Sequence, residues 1–229
     1  MNILILTGRF GMGHYSVAQT MVQDIQKENP NTQIVVKDIF EYAMPDYCDV
    51  IYDFYTLLVN KGSHLYNFYY KHTENSNKSS KLPFITYFLH ELHQLVATTK
   101  PDVIISTLPF CCQLVSTYKA KYNCPIPMVT CITDVSVHRE WLSSHTDLYL
   151  VASSVTKKEL IAKGVPDKQI LVTGIPVKEQ FRQLSHEKQQ QTMKRLLIMG
   201  GGLGMLPKEK NFYLQLNALP DVKTTVIVG

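Results

Sequence analysis

Residues 3–16 read ILILTGRFGMGHYS, and residues 194–205 read KRLLIMGGGLGM. In the first stretch the apolar run Ile3–Thr7 breaks into Gly8, Gly11 and Gly13. In the second, Leu196–Met199 breaks into Gly200, Gly201, Gly202 and Gly204. A buried strand that ends in glycines ahead of a helix is how a Rossmann-like unit opens, so two such openings predict two tandem α/β domains. The polar stretch KEQFRQLSHEKQQQTMK, Lys178–Lys194, separates them. The expected organisation is a domain over 1–177, a linker over 178–194 and the beginning of a second domain over 195–229.

Outward from these stretches, short β-branched runs alternate with helix-length amphipathic segments, as in a parallel sheet with helices on both faces. Strands are expected at 3–7, 33–38, 102–106, 127–132, 147–152, 169–173, 195–199 and 223–228. Apolar spacing near 3.6 residues places helices at 14–28, 48–60, 63–72, 83–98, 110–121, 154–163 and 207–217. The second domain stops after strand, helix and strand. Such a piece cannot cover both faces of a parallel sheet, so the expectation is an incomplete part of a longer protein.

The composition is that of a globular protein, 45% hydrophobic and 18% charged. There is no apolar run of the ~18 residues that a membrane span needs, and no secretory leader pattern at the start. Five cysteines, Cys48, Cys111, Cys112, Cys124 and Cys131, form no C-x-x-C pair, which points to reduced thiols in the cytoplasm and away from a zinc site. A net charge of +4 without a dense basic run does not indicate nucleic-acid binding.

Glycines at a helix N-terminus let backbone N–H groups approach an anion, and the helix dipole favours negative charge there. The spacing Gly8-x-x-Gly11-x-Gly13 is not the dinucleotide fingerprint, and no Lys-Ser/Thr follows as in a P-loop. A dehydrogenase and a nucleotide triphosphatase are therefore disfavoured, while a plain strand-to-helix turn stays open. His14 follows that loop directly, where an imidazole with a near-neutral pKa can serve as a general base or simply line a cleft. Four glycines in five positions at Gly200–Gly204 exceed what a turn needs, which favours approach to a phosphate. Asp134 lies just past the strand ending at Ile132, at the carboxyl end where open α/β sheets place ligands, or it caps a turn.

Taken together, these motifs resemble the monogalactosyldiacylglycerol synthase family, which includes the processive diacylglycerol glucosyltransferases. The resemblance is carried by Gly11-Met12-Gly13-His14, by Thr133-Asp134 with His138-Arg139-Glu140-Trp141, by Thr173–Val177 (TGIPV), and by Gly200–Met205 (GGGLGM). It covers nearly the whole chain. The first loop departs from the family's commoner Gly-Gly-Gly-His, and the donor-binding segments past the second strand of the second domain are absent.

The resemblance implies a GT-B fold, two Rossmann-like domains facing one another across a cleft. It implies an inverting transfer of hexose from UDP-glucose or UDP-galactose to diacylglycerol, with no metal or other cofactor, at the inner face of the cell membrane. Inversion needs a base on the acceptor hydroxyl and a positive or dipolar cradle for the departing diphosphate. His14 is the expected base, with Asp134 as its orienting partner or as the alternative base, and the Gly200–Gly204 backbone is the expected cradle. Gly11, Gly13, His138, Arg139 and Trp141 are expected toward the acceptor and the anionic lipid surface. Trp141, the single tryptophan, either meets the headgroups or closes the core.

Eight of the thirteen tyrosines fall between Tyr42 and Tyr87, in a segment also holding Phe40, Phe54, Phe68, Phe84 and Phe88. Most of these aromatics are expected to pack inward. The tip from Tyr66 and Tyr69 to Lys81 is expected to touch lipid, aided by Lys71 and Lys78. Two other functions stay open: transfer to a polyprenyl-linked acceptor, and a non-catalytic membrane-docking module that complements a donor-binding chain.

Overall fold

The computed structural model describes residues 1–61, 84–184, 193–201 and 204–228. The helix expected at 63–72, the lipid-facing residues Tyr66 and Tyr69, the three lysines of that tip and Gly202 lie outside the described residues. Two compact units are present, Met1–Val177 and Lys178–Gly229.

The first unit runs β1 (Asn2–Thr7), α1 (Gly13–Glu28), β2 (Gln33–Asp38), α2 (Ile39–Ala43), α3 (Cys48–Lys61), α4 (Ile85–Thr99), β3 (Val103–Ser106), α5 (Pro109–Tyr122), β4 (Met128–Cys131), β5 (Leu148–Val151), α6 (Ser154–Ala162) and β6 (Ile170–Val172). The strands form one parallel sheet in the order β2-β1-β3-β4-β5-β6. Along β1 the side chains alternate between two cores, as a pleated strand buried on both faces requires. Leu4 and Leu6 join Phe40, Phe88, Leu92 and Leu114 on one face. Ile3 and Ile5 join Val17, Ala18, Ile105 and Cys131 on the other.

Local chemistry sets several helix ends. Pro109 occupies the first turn of α5, where its missing N–H costs nothing, and Asn123 ends that helix in the left-handed region at φ 48°. The Ser153 hydroxyl accepts from Thr156 N at 3.2 Å and starts α6. The short α2 is absent from the periodicity reading. Its signal is Asp38, whose carboxylate accepts from Phe40 N at 3.0 Å and Glu41 N at 3.3 Å.

The aromatic segment packs inward less than expected. Phe40 and Phe88 are buried, but Tyr47, Phe54, Phe84 and Tyr87 are exposed. With Val50 and Leu57, Tyr47 and Phe54 make an apolar stripe at helical spacing along α3 and the turn before it. No helix among the described residues is long and apolar enough to cross a membrane.

The second unit holds α7 (Glu179–Leu184), β7 (Lys194–Met199), α8 (Lys210–Asn217) and β8 (Val222–Ile227). The polar stretch read as linker thus contains a helix of its own. β7 and β8 pair in parallel from Lys194↔Val222 to Met199↔Ile227. Leu197, Met199 and Ile227 are exposed on this two-stranded sheet.

Candidate functional site

The sheet order reverses direction at β1: the chain leaves β1 for β2 on one side and returns past it to β3 on the other. Loops at the carboxyl ends of β1 and β3 diverge at such a point, and ligands of open α/β sheets bind there. Residues from β1, β3 and β4 converge on that end. Thr107, just past β3, ties the three together. Its N–H donates to Leu6 O at 3.1 Å, and its hydroxyl lies 2.9 Å from the Thr7 hydroxyl and 3.1 Å from His14 O.

The turn before His14 is held open by backbone conformation. Gly11 has φ 78° and Met12 φ 62°, and Gly13 is the first residue of α1. A side chain at Gly11 would be strained at that φ. At Gly13 the φ is ordinary, and a Cβ would meet nothing within 4 Å. Gly8 differs again: a Cβ there would come within 3.0 Å of Leu108 and 3.3 Å of the Tyr52 hydroxyl.

His14 is half-buried on the first turn of α1. Its Nδ1 lies 2.7 Å from the Thr107 carbonyl and 2.8 Å from the Thr133 hydroxyl. A carbonyl oxygen can only accept, so Nδ1 carries the proton and shares it between the two oxygens. The tautomer is thereby assigned, and Nε2 keeps the lone pair. Burial pushes the His14 pKa below its ordinary 6.5, while the Asp134 charge and the Thr107 carbonyl pull it partly back up. The net effect is a neutral imidazole at pH 7, with its basic nitrogen unprotonated.

Asp134 is exposed on the loop after β4. It does not orient His14 by a hydrogen bond: its Oδ2 accepts from Trp141 Nε1 at 2.7 Å, and it reaches His14 through its charge alone. Orientation of the imidazole falls to Thr107 and Thr133, neither of which was singled out for a role. The carboxyl-end rule that marked Asp134 applies equally to Thr107. The adjacency of β1 and β3, needed to bring Thr107 to His14, is not written in local sequence.

The interfacial expectation for Trp141 is corrected by burial: the residue is 0% exposed and sits in a core cluster with Ile132, Tyr149, Val151 and Leu160. The turn Arg139–Trp141 rotates the indole inward, and its ring centroid lies 6.1 Å from that of His14. His138 is also buried, at 4% exposure, so it presents no surface to lipid headgroups. Its Nδ1 accepts weakly from Glu140 N, at 3.4 Å, as the cap of that turn. Arg139 is half-buried.

A second cluster braces the β1 loop. Arg9 Nε donates to Asp38 Oδ2 at 3.3 Å, and the Tyr52 hydroxyl donates to the same oxygen at 2.6 Å while accepting from Arg9 N at 2.9 Å. Arg9 also lies over the Tyr52 ring, 5.4 Å from its centroid. Burial and the neighbouring Asp38 carboxylate push the Tyr52 phenol well up, so it stays a donor.

In the second unit, the argument from surplus glycine does not hold for the described residues. A Cβ on Gly200 would meet Gly204 C at 2.7 Å and Met205 N at 2.8 Å. Gly201 has φ 66°, and Gly204 has φ 62° with Val228 O 2.8 Å from a would-be Cβ. The turn itself needs each of these three. It is closed by Met205 N donating to Gly200 O at 2.8 Å and Gly204 N to Gly201 O at 3.1 Å. α8 begins only at Lys210, so these glycines are not at its first turn.

Comparison with known proteins agrees with this architecture. Residues 14–177 match the family described as monogalactosyldiacylglycerol (MGDG) synthase. The processive diacylglycerol beta-glucosyltransferase of Bacillus licheniformis is 30% identical over 238 residues, covering 100% of this chain and 61% of that protein. The chain thus spans about three fifths of the length of such relatives. The lipopolysaccharide outer core galactosyltransferase WaaB superposes with a TM-score of 0.54 at 15% identity, over 99% of this chain and 60% of that one. Anabaena HepE, solved with UDP-glucose, superposes with a TM-score of 0.53 at 11% identity, over 99% and 60%. At these identities the likeness carries the fold, which is of the GT-B type.

Proposed function

The chain belongs to the monogalactosyldiacylglycerol synthase family, and on that premise we propose that it forms part of an enzyme transferring hexose from a UDP-sugar to diacylglycerol with inversion. The observation that carries this reading is the His14 geometry, with Nδ1 held as a donor to Thr107 O at 2.7 Å and Nε2 left with its lone pair. Nε2 takes the proton of the diacylglycerol hydroxyl as that oxygen bonds to the anomeric carbon. The bond from that carbon to the diphosphate oxygen breaks, and UDP leaves with the electron pair. Asp134 steadies the imidazolium that forms. Gly11 and Gly13 keep the first turn bare for the acceptor, and the Gly200–Gly204 turn, whose Gly204 N–H is itself spent on Gly201 O, receives the diphosphate without a metal.

Glucose is the favoured hexose, since relatives such as that of Bacillus licheniformis are named glucosyltransferases. The protein works as a peripheral enzyme on the anionic inner face of the cell membrane. The apolar stripe of Tyr47, Val50, Phe54 and Leu57, with Phe84 and Tyr87, supports that placement.

The test is to incubate the longest encoded form, and residues 1–229 alone, with diacylglycerol in anionic vesicles. UDP-glucose and UDP-galactose are supplied separately, and the lipids are read by mass spectrometry. The expected result is a hexosyl-lipid from the long form, lost on His14→Ala and strongly reduced on Asp134→Asn. Vesicle binding without hexosyl-lipid from either form would move the reading to a docking module or to a polyprenyl-linked acceptor.

A further inference from the structure

We infer that Trp141 is a positioning residue whose buried indole N–H holds the Asp134 carboxylate beside His14. The inference rests on the roles proposed above for His14 and Asp134. An aspartate exposed on a loop rotates freely unless something fixes it. Here Oδ2 is fixed at 2.7 Å by Trp141 Nε1. A buried indole N–H must find an acceptor, and an ionised carboxylate makes the stronger, shorter kind of bond.

The backbone of the turn that carries the indole is itself braced on several sides. Trp141 N donates to His138 O at 3.1 Å. The Cys112 thiol donates to Trp141 O at 3.3 Å. The Gln113 amide nitrogen donates to the carbonyls on either side, Glu140 O at 2.8 Å and Leu142 O at 2.6 Å. Thr130, Thr146 and Ser143 continue the network beneath, with hydroxyl pairs at 3.0 Å and 2.7 Å. The turn is therefore clamped to α5 and to the carboxyl side of the sheet, and its indole N–H is spent on Asp134. The indole that fixes this charge also stands 6.1 Å, centroid to centroid, from the ring the charge acts on.

The consequence is electrostatic. From the β3 end His14 meets Thr107, and from the β4 end it meets Thr133, both uncharged; Asp134 is the charge acting on it. That charge favours the imidazolium, so releasing the carboxylate lowers the His14 midpoint.

The experiment is an NMR titration of His14 in the 229-residue chain, comparing the unaltered protein, Asp134→Asn, Trp141→Phe and the double variant. Both single variants should lower the midpoint by similar amounts, and the double should go no lower than Asp134→Asn alone. A Trp141→Phe midpoint equal to that of the unaltered protein would overturn the inference. Should phenylalanine leave the chain unfolded, its sole tryptophan can be replaced biosynthetically by benzothienylalanine, which keeps the ring shape without the N–H. The same titration then decides. In the longest encoded form, Trp141→Phe should lower kcat for hexose transfer about tenfold with KM for UDP-glucose unchanged. A lowered midpoint with no hexosyl-lipid from any form would break the transfer reading and leave the Trp141–Asp134 pairing standing. Transfer with an unmoved midpoint would do the reverse.

Discussion

The two glycine turns look like copies in sequence and are different objects in space. The first runs straight into α1, with Gly13 as its opening residue, and carries His14 to a place where β3 and β4 supply Thr107 and Thr133. The second folds back on itself, closes between Gly200 and Met205, and α8 starts only at Lys210. In the first turn a glycine is needed for positive φ at Gly11 but not for space at Gly13. In the second, Gly200 is needed because backbone crowds it, and Gly204 for both reasons. The same residue type thus answers two physical demands, and among the described residues only the first turn gathers side-chain chemistry around it.

The sharpest way to break this contrast is at His14. His14→Ala should reduce transfer by roughly 10²–10⁴-fold, the range for a lost general base, with KM for the UDP-sugar little changed. Hexose transfer by mass spectrometry measures it. A loss below tenfold would remove the chemical distinction between the turns.

Next comes Gly204→Ala. At φ 62° with a Cβ 2.8 Å from Val228 O, the substitution strains the turn by roughly 1–3 kcal/mol. If that turn cradles the diphosphate, KM for the UDP-sugar should rise about tenfold, and kcat at saturation should hold. A fall in kcat with KM unmoved would mean that the second turn also acts in the chemistry.

How far the sequence foretells this contrast depends on the range of the interaction. All eight strands and the helices of the described residues that are longer than six residues follow from periodicity, because both alternation and 3.6-residue spacing are local. α2 is five residues long, too short to show a period, and rests on Asp38 as its cap. Thr107 meets His14 across 93 residues of chain, through a strand order that no window of sequence contains. Trp141 is flanked by Arg139, Glu140 and Ser143, which read as a wet loop. A single 3-10 turn turns the indole into the core instead.

A smaller effect is expected at Thr133, which accepts a share of the His14 Nδ1 proton. Thr133→Val removes one neutral hydrogen bond, worth about 1 kcal/mol, so kcat should fall about fivefold and recover in Thr133→Ser. The pH profile sharpens the point. Burial holds the folded His14 pKa below 6.5, so the acid limb of kcat/KM should fall at lower pH than a free histidine gives. Asp134→Asn should move that limb lower still, because the lost charge had favoured the protonated form. The same shift bears on folding. A histidine with a depressed native pKa contributes stability that is complete above 6.5 and is lost as pH falls through its native value. A limb above 6.5 would contradict the burial of this ring.

The smallest effect separates folding from use within the first turn itself. Gly13 opens α1 with an ordinary φ, and an added Cβ meets nothing within 4 Å. Gly13→Ala should therefore raise stability by about 0.4–1 kcal/mol, since alanine restricts the unfolded chain more than glycine does. Thermal unfolding measures that gain. If the open face of this turn receives the acceptor, the same methyl group stands in its way, and transfer should fall a few-fold while the protein becomes more stable. A stabilised variant with undiminished transfer would mean that the first turn, like the second, keeps this glycine for no reason connected with the acceptor, and that its chemistry begins at His14.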